Sequence, residues 1–293
     1  MRSRIVVLLV AAAVAAGLIV TTSGLFGSDD SSPSELTVDA GASAPSLIAG
    51  HVHGIARHPD SGEIYVATHE GMYVLTGSGV SQKVGPVIDL MGFTIGGKGQ
   101  LLASGHPGVG TDLPQPVGLI ESADGGKSWT VRSRGGQSDF HALTESTSGV
   151  VGYDGDGTLR TSSDGRTWST LPPLQGVTSL GASPGGARML AATSAGLFSS
   201  NAPGNAWAPI PDAPALLLLD WADEARVVGL GRDGSIYVSS DAGGTWKPSA
   251  AKAMGPPQAI EASIVQGRLE ILAVTHKDVV ISSDGGASFN PLG

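Results

Sequence analysis

Seven histidines punctuate this chain of 293 residues, and five of them fall in four short phrases. These are His51-Val52-His53-Gly54, Thr68-His69-Glu70-Gly71, Ser104-Gly105-His106-Pro107 and Asp139-Phe140-His141. An imidazole changes charge near neutral pH and binds first-row metals through either ring nitrogen. His51 and His53 are two residues apart, so along a strand both project to the same side. Imidazoles gathered from separate segments suit zinc or copper, and Met91 would add a soft ligand for copper. The metal-ligand candidates are therefore His51, His53, His69, His106 and His141, with zinc or copper as the implied cofactor. His106, Met91 and Asp112 are candidates for contact with a bound ligand. Two carboxylates, Glu70 and Asp139, fall within these phrases, and Asp154 at the end of a later strand run could approach the same place; glycoside hydrolysis needs two such groups flanking one bond. Each reading has a structural counterpart. The histidines can instead bond backbone groups and plug a channel, and Glu70 and Asp154, each followed by Gly, can be turn residues.

Composition narrows the class. The chain carries 44 Gly and 18 Pro, 41% hydrophobic and only 15% charged residues, which points to many tight turns around a substantial core. Past residue 20 there are no helix-forming runs. A net charge of −9 excludes nucleic acid as a partner on electrostatic grounds. With no Cys, disulfides, thiolate catalysis and zinc–thiolate sites are also excluded.

One motif recurs. Ser122-Ala123-Asp124-Gly125-Gly126-Lys127-Ser128-Trp129 returns as Ser162-Ser163-Asp164-Gly165-Arg166-Thr167-Trp168. Further copies are Ser239-Ser240-Asp241-Ala242-Gly243-Gly244-Thr245-Trp246 and Ser282-Ser283-Asp284-Gly285-Gly286-Ala287-Ser288-Phe289. A decayed copy runs from Ser199-Ser200-Asn201 to Trp207, and the spacing is about 40 residues throughout. Apolar or alternating runs such as Gly234-Ser235-Ile236-Tyr237-Val238 precede the copies and read as strands ending in turns.

This pattern resembles the Asp-box, or bacterial neuraminidase, repeat Ser-x-Asp-x-Gly-x-Thr-Trp over residues 49–293. The resemblance implies a β-propeller whose blades are four-stranded antiparallel sheets, with the box at the turn between strands three and four. Asp124, Trp129, Asp164, Trp168, Asp241, Trp246 and Asp284 would then be structural. Counting inner strands at His51–Ala56, Met91–Ile95, Phe140–Thr144, Val177–Ala182, Leu216–Trp221 and Ile260–Ile264 gives six blades. The fold expected is thus all-β, a six-bladed propeller preceded by an N-terminal hydrophobic helix, with a strand near Leu36–Asp39 as a candidate for ring closure. Second-strand ends would carry His69, His106, Asp154, Ser194, Arg232 and His276 to the mouth where the inner strands start. His58 falls on the opposite face. The loop from His106 to Val117 is longer than its counterparts and stands at the same mouth, which favours a recognition role.

The first 26 residues read as a signal-anchor. Arg2 and Arg4 precede Ile5–Val20, which has no polar side chain, and the uncharged stretch continues to Phe26; a spanning helix needs about 20 apolar residues. The arginines keep the N-terminus in the cytoplasm and send the remainder across. Residues 27–48 are a flexible polar linker, and 49–293 form the propeller. The expected location is the cell membrane, single-pass, with the propeller outside the cytoplasm; cleavage and secretion is the alternative.

Likeness to the sialidase group also implies glycosidase activity, with an arginine triad for a substrate carboxylate. The Phe/Tyr-Arg-Ile-Pro phrase that supplies one of those arginines is missing; Ile55-Ala56-Arg57-His58-Pro59 stands in its place. Three functions remain: a module binding a small molecule, a glycan or a metal through the His-rich mouth, an Asp-box glycoside hydrolase, and a scaffold for assembling a membrane complex. The propeller is expected to be monomeric.

Overall fold

A computed structural model describes residues 50–76, 81–201, 204–253, 255–276 and 278–292. They form six four-stranded antiparallel sheets, each drawn from one continuous stretch of chain. The first blade is β1 (Val52–Arg57), β2 (Ile64–Thr68), β3 (Gly71–Leu75) and β4 (Ser81–Val84). The second is β5 (Ile88–Ile95), β6 (Leu101–Pro107), β7 (Leu119–Ser122) and β8 (Thr130–Ser133). The third is β9 (Phe140–Ser146), β10 (Gly149–Asp154), β11 (Leu159–Ser162) and β12 (Ser169–Thr170), and the fourth β13 (Val177–Ala182), β14 (Arg188–Thr193), β15 (Gly196–Asn201) and β16 (Ala208–Pro209). The fifth is β17 (Leu216–Trp221), β18 (Val227–Gly231), β19 (Ser235–Ser239) and β20 (Lys247–Lys252); the sixth is β21 (Pro257–Val265), β22 (Arg268–Thr275), β23 (Val279–Ser282) and β24 (Asn290–Pro291). The chain is a six-bladed β-propeller.

Strand β1 packs on β21, so the ring closes with a first blade that already holds four strands of its own. No helix occurs among the described residues, and none there is long and apolar enough to cross a membrane. The expected hydrophobic helix over 1–26, the linker 27–48 and the candidate strand 36–39 lie outside the described residues.

Burial follows strand position. The second strands β2 and β18 are buried at every residue, whereas the outermost β12, β16 and β24 are two exposed residues each. Six apolar clusters fill the six seams between neighbouring blades. Each draws on facing sheets: Tyr65 and Met72 of blade one meet Leu90 and Trp129 of blade two, and Val52 and Val66 of blade one meet Leu272 and Val274 of blade six. Short, exposed edge strands avoid presenting a long template for edge-to-edge pairing.

The recurrent Ser-x-Asp turns join strands three and four through one hydrogen-bond set. Asp124 Oδ1 accepts from Ser122 Oγ (2.8 Å) and from the Ser128 N–H (3.0 Å), and Oδ2 accepts from Ser128 Oγ (2.6 Å). Asp241 repeats this with Ser239 and Thr245, and Asp284 with Ser282 and Ser288. Asp164, in the copy one residue shorter, accepts from the N–H groups of Arg166 and Thr167, both at 2.7 Å. These bonds hold the Asp124, Asp241 and Asp284 carboxyls down at about 2. The residue after each Asp takes a left-handed conformation, at Gly125, Gly165 and Gly285 and also at Ala242 (φ 58°), where a Cβ is a cost.

Candidate functional site

The inner strand of every blade carries a register shift near its start. One residue is left without a cross-strand partner: His53, Met91, His141, Thr178, Leu217 and Gln258 in blades one to six. A β-bulge re-aims the extra side chain, and six of them in a ring place six side chains at one mouth of the channel. Two residues before the bulge in five of the six blades, the chain bonds the end of the second strand. His51 accepts the His69 N–H, Asp89 pairs with His106, Asp139 accepts the Gly155 N–H and Pro256 accepts the His276 N–H. Blade one therefore contributes His51, His53 and His69; blade two Asp89, Met91 and His106; blade three Asp139 and His141; blade six Gln258 and His276. The fourth and fifth blades offer Thr178, Ser194, Leu217 and Arg232, so the imidazoles lie to one side of the axis.

The close approach in blade two depends on Gly105 (φ 141°), where a Cβ would collide with the Asp89 carbonyl oxygen. Alanine there would have to part Asp89 from His106.

The side chains form a continuous belt. His51, His53 and His69 each turn one ring nitrogen into a group whose atoms all lie within 4.8 Å of one another. His53 Nε2 is 3.2 Å from His69 Nε2, and His69 Nδ1 is 2.7 Å from Asp89 Oδ1. The second Asp89 oxygen faces His106 Nδ1 at 3.9 Å. His106 Nε2 and His141 Nε2 approach the same oxygen of Asp139, at 3.2 and 2.8 Å. On the far side the His51 and His276 rings are 6.0 Å apart, and Gln258 Nε2 bonds His276 Nδ1 at 2.9 Å. The five expected metal ligands thus separate into two groups, His51/His53/His69 and His106/His141, with Asp89 between them and Asp139 completing the second.

Electrostatics differ along the belt. Burial, followed by the His69 and His51 imidazoles, pushes His53 down to about 4. His51 is lowered by burial and then by His69 and His276. His53 therefore keeps a lone pair at neutral pH, as a metal ligand must. His141 moves the other way, raised mainly by its hydrogen bond to Asp139. A cavity of about 140 Å³ opens beside the belt, lined by His53, Met91, His141, Thr178 and Asp220 among others.

No protein-family model matches the chain, and no curated protein matches it. Solved structures similar to it are β-propellers. A structure of YCF48 bound to D1 peptide is 13% identical with a TM-score of 0.54, covering 84% of this chain and 82% of that one. A GH74 enzyme from Niastella koreensis is 16% identical with a TM-score of 0.57, covering 83% of this chain and 45% of that one. A gluconolactonase from Xanthomonas campestris, XC5397, is 10% identical with a TM-score of 0.58, covering 78% and 85%. At these identities the likeness is one of fold, and this chain spans under half of the GH74 enzyme.

Met91 is the bulged residue of blade two and lines the cavity. Asp112 is exposed on the long loop, and among the described residues no hydrogen bond or ion pair joins it to the belt. That loop is tied down at two points: Pro116 accepts the Gly136 N–H, and Leu113 packs into the seam between blades one and two. Glu70 is exposed beside His69, its N–H donated to Thr68 Oγ1. Asp154 does not reach the mouth. The partner of Asp139 is Gly155, and strand alternation turns the Asp154 side chain inward. There it is 4% exposed and accepts from Ser138 Oγ (2.5 Å), the Asp139 N–H (3.0 Å) and Arg160 Nε (3.0 Å). Its role is to hold Asp139 in place. His58 bonds Gly99 O across to the next blade (3.0 Å), away from the belt.

Sequence reasoning missed Asp89 and Gln258. Both had a signal in the repeat: Asp89 stands two before Met91 as His51 stands two before His53 and Asp139 two before His141. Gln258 occupies the bulge position of blade six.

On the inner strand β21, Glu261 is 5% exposed with Oε2 unpartnered. Burial, then the Asp220 carboxylate, pushes it up to about 8. A raised carboxyl favours the protonated native state, so its contribution is lost as pH rises from about 4.3 through the native value. Glu261→Gln is expected to match the wild type in urea melts at pH 4 and to exceed it at pH 9. Equal stability of the two at pH 9 would show that the carboxylate is solvated.

Proposed function

We propose that this protein is a membrane-anchored, extracytoplasmic propeller of the Asp-box type that binds zinc or copper through His51, His53 and His69. The observation that carries the metal reading is the meeting of three imidazole nitrogens within 4.8 Å. Ligands of one tetrahedral zinc ion, at 2.0–2.1 Å each, lie about 3.3 Å apart; His53 Nε2 and His69 Nε2 are 3.2 Å apart. His69 donates its Nδ1–H to Asp89, leaving Nε2 as the metal-facing lone pair, the arrangement that orients ligating histidines. The Asp-box assignment draws support from the shared hydrogen bonds of the four Ser-x-Asp turns. Anchoring and orientation rest on Arg2, Arg4 and the apolar stretch to Phe26.

The test is a chelator-competition titration with zinc and copper on the tag-free, detergent-solubilised full chain. In the His53→Ala/His69→Ala variant the tightest step is expected to weaken by more than about 100-fold. The melting temperature under chelator should stay near that of the wild type, because both rings are at the mouth rather than in a seam. Undiminished affinity in the variant would sink the assignment.

Glycoside hydrolysis through Glu70, Asp139 and Asp154 is the less favoured reading. Asp154 is saturated by three donors and Asp139 is held by two imidazoles. Carbohydrate turnover abolished by Glu70→Gln or Asp139→Asn would reverse the order. Co-purification with a membrane complex, indifferent to histidine substitution, would instead favour the assembly role.

A further inference from the structure

We propose that the mouth holds a second divalent-cation site, formed by His106, Asp139 and His141, next to the first and separated from it by Asp89. The inference rests in part on the metal reading above and extends it from one ion to two.

Three observations converge. His106 Nε2 and His141 Nε2 both point at Asp139 Oδ2, at 3.2 and 2.8 Å. Those two separations are close to the edge of a zinc tetrahedron, about 3.3 Å, so an ion held by Asp139 would draw the two imidazoles in around it. The other carboxylate oxygen, Asp139 Oδ1, is buried and has no hydrogen-bond partner, a lone pair that a chelated cation would satisfy. The group is also rigidly mounted. The Asp139 N–H is donated to Asp154 Oδ1 (3.0 Å), its carbonyl accepts the Gly155 N–H (2.8 Å), and Arg160 Nε bonds Asp154 Oδ2 (3.0 Å). His141 occupies the inner-strand bulge and His106 the end of the second strand, the places that His53 and His69 take in the first blade.

Asp89 faces both groups, with Oδ1 on His69 at 2.7 Å and Oδ2 on His106 Nδ1 at 3.9 Å. One carboxylate thus hydrogen-bonds an imidazole of the first group and lies within ion-pair distance of one in the second. The two donor sets differ, three nitrogens in the first group and two nitrogens with one oxygen in the second. Imidazole with carboxylate suits zinc, whereas copper(I) favours soft ligands and neutral nitrogen.

Zinc is therefore the probe. Bound zinc per chain would be counted by native mass spectrometry and elemental analysis on the detergent-solubilised, tag-free full chain after removal of free metal. The wild type is expected to retain two equivalents. Asp139→Asn/His141→Ala and His51→Ala/His69→Ala are each expected to retain one, and copper(I) to fill only the site that the second variant lacks. One equivalent in the wild type, lost in the His51/His69 variant alone, would overturn the second site and leave the first intact. No retained zinc would overturn both readings. Two equivalents retained by the Asp139/His141 variant would show that the second ion sits elsewhere. The wild-type count stands without either variant, so a variant that fails to fold does not spare the proposal.

Discussion

Asp89→Asn is expected to weaken zinc binding at the His51/His53/His69 group by about 10–100-fold. The carboxylate touches no ion in that arrangement; it acts through His69. It accepts the Nδ1–H at 2.7 Å, which fixes the tautomer and ring orientation that present Nε2 to His53. Its charge also makes the imidazole a stronger donor to a metal. Asparagine has the same shape and can still accept that hydrogen bond, so the loss reports charge rather than packing. Asp89 lies at the mouth, partly exposed, and contributes no side chain to the seams. The metal-free variant should therefore melt near the wild-type temperature. A chelator-competition titration reads the affinity. A value unchanged by the substitution would mean that Asp89 is a surface partner of His69, and the orienting role would be withdrawn.

The architecture was legible because the repeat prints its turn chemistry in the sequence. Asp124, Asp164, Asp241 and Asp284 make the bonds that their spacing implies, and the apolar run before each copy is the third strand of a blade. The mouth was legible only in part. Topology brought His51, His53, His69, His106 and His141 to one end, as their phrases suggested. Strand alternation alone did not give the bulge, which moves His53, Met91 and His141 off the regular pleat. A one-residue offset likewise decided between Asp154 and Gly155, and on a strand one residue is the difference between mouth and interior. Asp89 escaped notice because a lone Asp in Ile88-Asp89-Leu90 carries no motif; its meaning comes from alignment with His51 and Asp139. The loop from His106 to Val117 illustrates the same limit. Its length marked it, but only packing shows that Leu113 enters the seam between blades one and two.

Phe140→Ala is expected to cost about 3–5 kcal/mol of stability. The ring is fully buried and fills the seam between blades two and three with Leu102, Leu119 and Val150. Gly152 makes room for it: a Cβ there would come within 2.5 Å of Phe140 Cδ1. On the other side the Trp168 indole stacks at 4.9 Å and 26°, and its Nε1–H bonds Ser133 Oγ of the preceding blade at 2.8 Å. Trp168→Ala should cost slightly less, since that ring is only half-buried. The pair should show a coupling of about 0.5–1.5 kcal/mol in a double-mutant cycle. Urea denaturation under chelator isolates this packing from any contribution of metal. A loss below about 1 kcal/mol for Phe140→Ala would mean that the seam collapses around the void and that the ring is not a fixed strut. The consequence reaches the mouth, because Phe140 stands between Asp139 and His141 at the start of β9. A seam that holds its ring still also holds the backbone of both neighbours, so the geometry available to a cation at blade three depends on an aromatic contact that never touches it.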